Sequence, residues 1–131
     1  IVPFSPEEIN LLWENVEEIR FADMILIGIY SGWRPQELAI LKNADIDLEA
    51  GIMKGGMKTD AGKNRIVPIH PLIRPLIERR YSPDREYLFN DENGQQGTYM
   101  TYDKYRGRFN KVMKRLNLTH RPHETRHTLH H

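Results

Sequence analysis

The sequence contains no cysteine. A disulfide framework and a thiolate site are therefore excluded, and the lack of disulfides suits a reducing cytoplasm. The 131 residues are enough for one domain that buries a hydrophobic core without a disulfide or a metal staple. We expect a single domain whose folding does not require metal.

Long apolar runs are absent as well. No stretch of the sequence reaches the roughly 20 apolar residues that a transmembrane helix needs. The first four residues, Ile1 to Phe4, lack the basic and apolar blocks of a signal peptide. Together these absences predict a cytoplasmic protein.

Acidic residues are scarce in the second part of the sequence. Residues 1–51 contain ten acidic and three basic side chains, whereas residues 52–131 contain eight acidic and sixteen basic ones. From residue 104 to 126 only Glu124 opposes the basic side chains Lys104, Arg106, Arg108, Lys111, Lys114, Arg115, Arg121 and Arg126. Such a cluster is typical of a surface that binds a polyanion such as DNA. A solvated helix face produces the same pattern, so both interpretations stay open.

Hydrophobic periodicity predicts a mostly helical chain. Ser5 to Glu8 combines an N-cap serine, a proline at the first helical position and a glutamate that can close a capping box. The nearly all-apolar residues 21–30 predict a buried helix. Thr101 predicts the start of a long amphipathic helix, whose buried stripe is Tyr102, Tyr105, Phe109, Val112, Met113 and Leu116.

One part of the chain has a different pattern. Residues 52–54 and 65–69 flank a turn-rich insert at 59–63, which predicts a β-hairpin that carries Lys58 and Lys63 near its end. The preceding residues 45–49 are predicted to be a turn. Residues 71–80 predict another helix, with Leu72, Ile73, Leu76 and Ile77 facing the core. The predicted fold class is therefore α+β, mostly helical with one small antiparallel β-hairpin or sheet.

Pro35 predicts the start of a short helix, which places Arg34 at its N-terminus. An anion bound there would meet both a guanidinium and unpaired backbone N–H groups. Alternatively, Arg34 only pairs with Glu37, one helical turn further on. The local sequence does not decide between these two roles.

A second cluster, His123 to His127, also has two interpretations. The spacing H-E-x-x-H is typical of zinc metalloproteases, in which two histidines bind the metal and the glutamate activates water. A third ligand would have to come from elsewhere, and Arg126 would place a cation beside the Zn²⁺. In the other interpretation, His123 and Arg126 belong to a phosphate-binding site that also uses residues far upstream.

Several segments together resemble one protein family. Ser31 to Leu38 resembles the first arginine box of the tyrosine recombinases, the phage and transposon integrases, and Asp45 to Asp47 resembles the segment that follows it. Met57 to Ile69 is similar to the family's β-hairpin with a catalytic lysine. His123 to Thr128 resembles the H-x-x-R box. The likeness covers nearly the whole chain, with the boxes in the family's order.

The resemblance implies cleavage of a DNA phosphodiester by a tyrosine nucleophile, and an integrase catalytic-domain fold. In this chemistry, Arg34 and Arg126 clamp the scissile phosphate, because positioned cations stabilise the charge that develops on its oxygens. Lys58 protonates the leaving 5′ oxygen, and His123 donates a hydrogen bond or assists proton transfer. Neither a metal nor another cofactor is implied.

The resemblance also implies supporting roles for Glu37 and His127. The expected partner is double-stranded DNA, contacted by the basic residues Lys104, Arg106, Arg108, Lys111, Lys114, Arg115 and Arg121. The parent protein is expected to act as a tetramer on DNA, in site-specific recombination or integration through a 3′-phosphotyrosine intermediate.

Two parts of the family pattern are not found in these residues. The family continues past the H-x-x-R box to a Leu-Gly-His type segment and then to the nucleophilic tyrosine. Tyr102 and Tyr105 belong to the predicted buried stripe, and the other four tyrosines lie upstream. We therefore expect residues 1–131 to be a C-terminally incomplete catalytic domain without the N-terminal DNA-clamping domain, which binds DNA but does not cut it. The alternatives are a noncatalytic DNA-binding module and, more remotely, the zinc metalloprotease.

Overall fold

The computed structural model describes residues 1–56, 65–90 and 98–129. In this part of the chain the helices are α1 (Pro6–Glu14), α2 (Ala22–Ser31), α3 (Pro35–Ala39), α4 (Arg74–Arg80) and α5 (Tyr102–Leu116). Three short strands, β1 (Ile46–Asp47), β2 (Ile52–Gly55) and β3 (Arg65–Pro68), form an antiparallel sheet in the order β1-β2-β3. Short 3₁₀ helices span Asn43–Asp45 and Pro122–Thr125. The predicted α+β class is confirmed.

Helix α2 lies at the centre of the hydrophobic core, and nine of its ten residues are buried. This explains why its sequence is apolar on nearly every side. Gly32 ends the helix with a φ of 73°, a left-handed backbone conformation that glycine adopts without steric cost. The turn directs the chain into Trp33 and Arg34, so the end of α2 sets where the first arginine box begins.

Helix α1 begins as the sequence predicts. Ser5 accepts a hydrogen bond from the backbone N–H of Glu8 at 3.2 Å, and the carboxylate of Glu8 accepts one from the backbone N–H of Ser5 at 2.8 Å. The predicted capping box is thereby confirmed. The N-cap of α5 at Thr101 is confirmed too, since its hydroxyl accepts from the backbone N–H of Lys104 at 3.2 Å.

The same arrangement of proline and glutamate recurs at two other helix starts. At α3, the backbone N–H of Arg34 donates to the carboxylate of Glu37 at 2.9 Å. At the last 3₁₀ helix, the backbone N–H of Arg121 donates to Glu124 at 3.0 Å. In each case proline occupies the first helical position, and the side chain of a glutamate at the third position accepts a hydrogen bond from the backbone N–H of the N-cap residue. Both arginine boxes are therefore held by short, locally encoded turns.

The turn predicted for residues 45–49 is wrong in part. Residues 43–45 form a 3₁₀ helix, and β1 then pairs with β2 in the register Ile46↔Met53 and Asp47↔Ile52. Ile46 is buried, and the burial of its side chain brings its backbone alongside β2. The predicted hairpin, in which β2 pairs with β3, thus becomes the central strand and one edge strand of a three-stranded sheet, and β1 forms the other edge.

The helix predicted for residues 71–80 begins later, at Arg74. Residues before it form a turn, in which the backbone N–H of Leu72 donates to Nδ1 of His70 at 3.1 Å. Leu72 is 55% exposed, so its predicted inward orientation is wrong. Leu72 lies in the turn before the helix and so does not share the buried face of α4. Ile73, Leu76 and Ile77 are buried as predicted.

The last 3₁₀ helix packs closely on α2. A Cβ atom at Gly28 would come within 3.3 Å of Oγ1 of Thr125 and 3.6 Å of the hydroxyl of Tyr105. The hydroxyl of Thr125 donates to the carbonyl of Pro122 at 2.9 Å and is fully buried. The small residue at position 28 therefore allows the H-x-x-R segment to approach the centre of the core.

His120 joins this segment to the start of α1. Its Nε2 lies 2.9 Å from Oε1 of Glu8, and its Nδ1 lies 2.8 Å from Oε1 of Glu124. The ring stacks on Phe4, with centroids 3.9 Å apart. Burial by itself lowers the pKa of His120, but hydrogen bonds to both carboxylates outweigh it and raise the pKa above 6.5. The charged imidazolium is the form that this contact favours.

We expect the stability of the chain to depend on pH through this contact. A raised pKa means that the contribution of His120 is complete below its unfolded pKa of 6.5 and is lost as the pH rises through the folded pKa. Burial raises the pKa of Glu8 and Glu124, but backbone N–H donors and His120 outweigh it and lower both below 4.5. Their contribution is present above 4.5 and is lost as the pH falls through the lowered values.

These three groups should therefore place the highest midpoint of thermal unfolding between pH 4.5 and 6.5. His120→Gln should remove the part of the decline that occurs above pH 6.5. His70→Gln is the matched control, because His70 has no carboxylate partner in the described residues. A decline in His120→Gln as steep as that of the wild type would contradict the assignment.

Candidate functional site

The first arginine box places Glu37 under the surface and Arg34 above it. Glu37 lies in the third helical position of α3, and its side chain is fully buried. Arg34 is the N-cap residue, and 41% of its side chain is exposed. Its Nη1 lies 3.9 Å from Oε2 of Glu37. Arg34 therefore approaches Glu37 and also faces solvent, so the two predicted roles of this arginine are compatible.

Two further arginines converge on the same carboxylate from distant parts of the chain. Nη2 of Arg65, at the start of β3, lies 3.2 Å from Oε1 of Glu37. Nη1 of Arg126, at the end of the last 3₁₀ helix, lies 3.9 Å from that oxygen. We call Arg34, Arg65, Arg126 and Glu37 the arginine site. It joins three segments of the chain, of which the first two are 28 positions apart, from Glu37 to Arg65, and the last two are 61 positions apart.

The charges of the arginine site are not balanced. Three guanidiniums share one carboxylate, which leaves a formal charge of +2 from these four side chains. The pKa of Arg126 is lowered, first by burial and then by the nearby charges of Arg34 and Arg65, while Glu37 opposes the shift. An anion that approached the three guanidiniums would relieve this repulsion.

Two polar atoms of the site have no hydrogen-bond partner among the described residues. They are Oε2 of Glu37 and Nη1 of Arg126, and both atoms are buried. A buried donor without a partner is costly, so a bound group that accepts from Arg126 would be favourable. This observation and the excess positive charge both indicate an anion as the ligand.

An open groove of about 500 Å³ runs beside the arginine site. Its walls include the end of α2 at Ser31 and Gly32, and strand β3 from Arg65 to Pro68. Arg126 and His127 complete the described part of the lining. The groove gives an extended anion access to the guanidiniums of Arg65 and Arg126.

The predicted site residues are only partly brought together. Arg34, Glu37 and Arg126 converge, and His127 lines the same groove as Arg126. His123 is exposed and lines a neighbouring groove with Tyr102, whose ring centroid lies 6.2 Å from that of the histidine. Lys58, the predicted proton donor, lies outside the described residues.

Sequence reasoning did not single out Arg65. Its residue type and its place in the predicted hairpin were visible, but nothing in the local pattern relates it to Glu37. The strand pairing Gly55↔Arg65 sets the position of its backbone. Its guanidinium stacks on the ring of Trp33 at 4.8 Å. The available signals were an arginine at the start of the second arm of the predicted hairpin and a tryptophan directly before Arg34.

The basic side chains of α5 point in different directions. Lys104, Arg108, Lys111 and Arg115 recur at helical spacing and share one side. A groove on that side is lined by Arg108, Lys111 and Arg115, together with Arg20, Phe21 and Glu18. Arg106 lies elsewhere on the helix, in the groove that also contains Arg121 and His123. The predicted set of basic residues therefore does not share a single face of α5.

Arg108 differs from the other basic residues of that set in its burial. Only 9% of the residue is exposed, and its guanidinium lies 4.5 Å from the ring centroid of Phe21. The sequence predicted it to be a DNA-binding residue, and the structure packs it against an aromatic ring next to the buried stripe of α5. The other members of the set are exposed: Lys104, Arg106, Lys111, Lys114, Arg115 and Arg121.

The zinc interpretation is not supported by the environment of Glu124. Its carboxylate accepts from the backbone N–H groups of Val2 and Arg121, both at 3.0 Å, and contacts His120. A glutamate held in this way is a structural acceptor rather than a base in an open cleft. Among the described residues there is no group of three or more His, Asp or Glu side chains that could hold a metal.

The tyrosines are also placed away from the groove. Tyr105 is fully buried, and burial raises its pKa above the ordinary range. Tyr30 is engaged with Trp13, whose indole N–H donates to its hydroxyl at 3.3 Å. Tyr87 and Tyr99 pack edge to face, with centroids 5.7 Å apart. In the described part of the groove beside Arg126, no tyrosine contributes to the lining.

Comparison with known proteins defines the class. The sequence matches the model of the phage integrase family over residues 4–131. The chain therefore belongs to the phage integrase family. Every helix in the described part of the chain is too short or too polar to cross a membrane.

Three relatives illustrate the match. The prophage integrase IntR of Escherichia coli (strain K12) is 34% identical over 88 residues, which are 59% of this chain and 21% of the relative. The Tn1549 transposon integrase, solved with circular intermediate DNA, is 23% identical at a TM-score of 0.77, covering 97% of this chain and 50% of that one. A lambda integrase tetramer bound to a Holliday junction is 13% identical at a TM-score of 0.72, covering 96% and 40%.

The two structural likenesses show the fold, since their sequence identities are low. The chain spans at most half the length of these three relatives. The matched residues include every segment that contributes to the arginine site.

We expect Glu37→Gln to destabilise the chain, because it leaves three guanidiniums close together without a counter-charge. The expected loss in the free energy of unfolding is roughly 1–3 kcal/mol, the usual cost of unpaired buried polar groups. Urea denaturation measures it. Sulfate at constant ionic strength should restore more stability to Glu37→Gln than to the wild type, because it can take the place of the carboxylate between the arginines.

Glu17→Gln is the matched control for this substitution. Glu17 pairs with Arg79 at 2.9 Å, but both side chains are more than half exposed. Its loss should leave the free energy of unfolding close to that of the wild type, because exposed ion pairs contribute little to stability. Equal stabilities for Glu37→Gln and Glu17→Gln would contradict a central role for the buried carboxylate.

Proposed function

We propose that the chain is part of the catalytic domain of a tyrosine recombinase, and that the arginine site binds the scissile phosphate of double-stranded DNA. The observation that carries this proposal is the convergence of Arg34 and Arg126 on buried Glu37, at the edge of an open groove. Membership of the phage integrase family supports the reaction class. The parent protein would perform site-specific recombination or integration in the cytoplasm.

Phosphodiester cleavage by a tyrosine places additional negative charge on the phosphoryl oxygens. Guanidiniums held in position before the reaction stabilise that charge without having to reorganise. Arg34 and Arg126 are suited to this role, because both are anchored to one buried carboxylate while part of each side chain remains exposed. Glu37 would orient them, and His127 would support Arg126 from the adjacent wall of the groove.

Two other groups complete the proposed chemistry. Lys58 would donate the proton that the departing 5′ oxygen requires. His123 would donate a hydrogen bond to the phosphate or assist proton transfer. Its exposure and its position three residues before Arg126 support this role, although in the described geometry it lines the neighbouring groove. If bound DNA occupied both grooves, His123 and Arg126 would contact the same DNA strand.

The basic residues beside His123 would extend the contact with DNA. Arg106 and Arg121 share its groove, so they would bind phosphates next to the scissile one. Lys104, Lys111 and Arg115 lie on another side of α5 and would contact DNA only where it curves around the domain. The parent protein would assemble as a tetramer on DNA. The lambda integrase tetramer on a Holliday junction supports this arrangement.

The proposed phosphotyrosine intermediate requires a tyrosine hydroxyl next to the scissile phosphate. Tyr105 is buried, and in the described part of the groove no tyrosine reaches the lining. We therefore propose that residues 1–131 bind DNA but do not form a covalent complex with it. The 3′-phosphotyrosine would form with a tyrosine from the remainder of the parent protein.

Binding of the chain to a fluorescein-labelled duplex tests the arginine site. Fluorescence anisotropy over a series of salt concentrations should show weak binding that falls as salt rises, because counterions are released from the phosphates. Arg34→Gln and Arg126→Gln should each weaken binding by about tenfold and lower the slope of log K against log salt by about one unit. Arg79→Gln, at an exposed arginine outside the groove, is the control and should match the wild type.

If the Arg34 and Arg126 variants bound as tightly as Arg79→Gln, the proposed site would be wrong. Circular dichroism of each variant separates lost binding from lost folding.

Nicked suicide substrates test the proposed lack of cleavage by these residues. Such a substrate traps a covalent protein–DNA product, which a denaturing gel resolves from free DNA. We expect no trapped product from residues 1–131. A longer version of the parent protein, extended to a tyrosine beyond the H-x-x-R box, should give one. A trapped product from residues 1–131 would contradict the claim, and none from the extended protein would favour the noncatalytic DNA-binding module.

A further inference from the structure

We infer that Arg65 is a third phosphate-binding residue of the arginine site, in direct contact with the bound DNA phosphate. This inference rests on the proposed function and adds one residue to it. Of the three guanidiniums at Glu37, that of Arg65 is the closest, at 3.2 Å from Oε1. Its side chain is 28% exposed, so it contacts the carboxylate while part of it faces the groove.

The position of Arg65 is fixed by a stack of three residues. Its guanidinium lies 4.8 Å from the ring centroid of Trp33. On β2, a Cβ at Gly55 would come within 3.3 Å of Cη2 of the same ring, a tighter contact than is usual, so glycine lets the ring lie against the strand without a shift. Gly55 is the strand partner of Arg65. The tryptophan directly before Arg34 therefore holds Arg65 in the same site.

The geometry leaves donors of Arg65 free to bind an anion. A guanidinium has five N–H donors in a planar fork, and the contact with Glu37 is made by Nη2. Arg65 and Arg126 both line the described part of the groove, whereas Glu37 is buried beneath it. A phosphate that entered the groove beside Arg126 would therefore meet the fork of Arg65 before it met the carboxylate.

Charge also favours three arginines over two. A phosphodiester carries one negative charge, and a second develops on the phosphoryl oxygens when a hydroxyl oxygen attacks as an alkoxide. The three guanidiniums and Glu37 have a formal sum of +2. With only Arg34 and Arg126, the sum would be +1. Arg65 thus brings the site to the charge that complements the pentacoordinate phosphorane.

The alternative is that Arg65 only positions Glu37. In that case its removal would affect DNA through Glu37 alone. A double-mutant cycle separates the two roles, because a residue that acts only through Glu37 has no effect once Glu37 is neutralised. The cycle consists of the wild type, Arg65→Gln, Glu37→Gln and the double variant.

The experiment measures binding of the full 131-residue chain to the labelled duplex over a series of salt concentrations. We expect Arg65→Gln to weaken binding about tenfold and to lower the salt slope by about one unit. The same loss should appear when Arg65 is changed in the Glu37→Gln background. Arg65→Lys should keep the salt slope and lose part of the affinity, because lysine keeps the charge without the planar fork.

Each outcome has a defined meaning. If Arg34→Gln and Arg126→Gln weaken binding while Arg65→Gln matches Arg79→Gln, the inference is overturned and the proposed function stands. If the Arg65 effect disappears in the Glu37→Gln background, Arg65 is a positioning residue and direct contact is overturned. If none of the three arginine variants weakens binding, the proposed function itself fails. If Arg65→Gln does not fold, Arg65→Lys decides, because affinity equal to wild type would overturn the contact.

Discussion

The shared carboxylate of Glu37 is the interaction on which the rest of the site depends. It accepts from the backbone of its own helix start and lies below three guanidiniums from different parts of the chain. Three cations at this separation repel one another, and a buried carboxylate is what allows them to remain together. Glu37 holds the three arginines together, and because each of them stays partly exposed, their guanidiniums can still contact an anion from solvent.

The surrounding structure holds each arginine by a different device. Arg34 follows the left-handed turn at Gly32, and proline at the next position begins α3. Arg126 follows a 3₁₀ helix that packs on α2 at Gly28 and is tied to α1 through His120 and Glu124. Arg65 is held by strand pairing and by Trp33. A substitution in any of these supports would displace one cation relative to the other two.

Glu124 has a structural role that the H-E-x-x-H spacing does not indicate, because it helps to join the last 3₁₀ helix to the start of the chain. The same residue that would be a base in a zinc enzyme here accepts from the backbone of Val2 and Arg121 and binds His120. Glu37 and Glu124 are therefore equivalent in local structure, since each completes the start of a short helix after an arginine and a proline. They differ in what surrounds them, cations for Glu37 and a histidine for Glu124.

Local chemistry determined much of this protein in advance. Proline, capping residues and hydrophobic period predicted the starts of α1, α3 and α5, the buried α2 and the hairpin strands, because these signals act over a few neighbouring residues. The resemblance of Ser31–Leu38 and His123–Thr128 to two family boxes indicated Arg34 and Arg126. Only the tertiary structure decided that they meet at Glu37, that Arg65 joins them and that Arg108 is buried, because such contacts depend on packing between segments that share no sequence pattern. The third strand and the outward position of Leu72 were decided in the same way, by the burial of Ile46 and by the turn at His70.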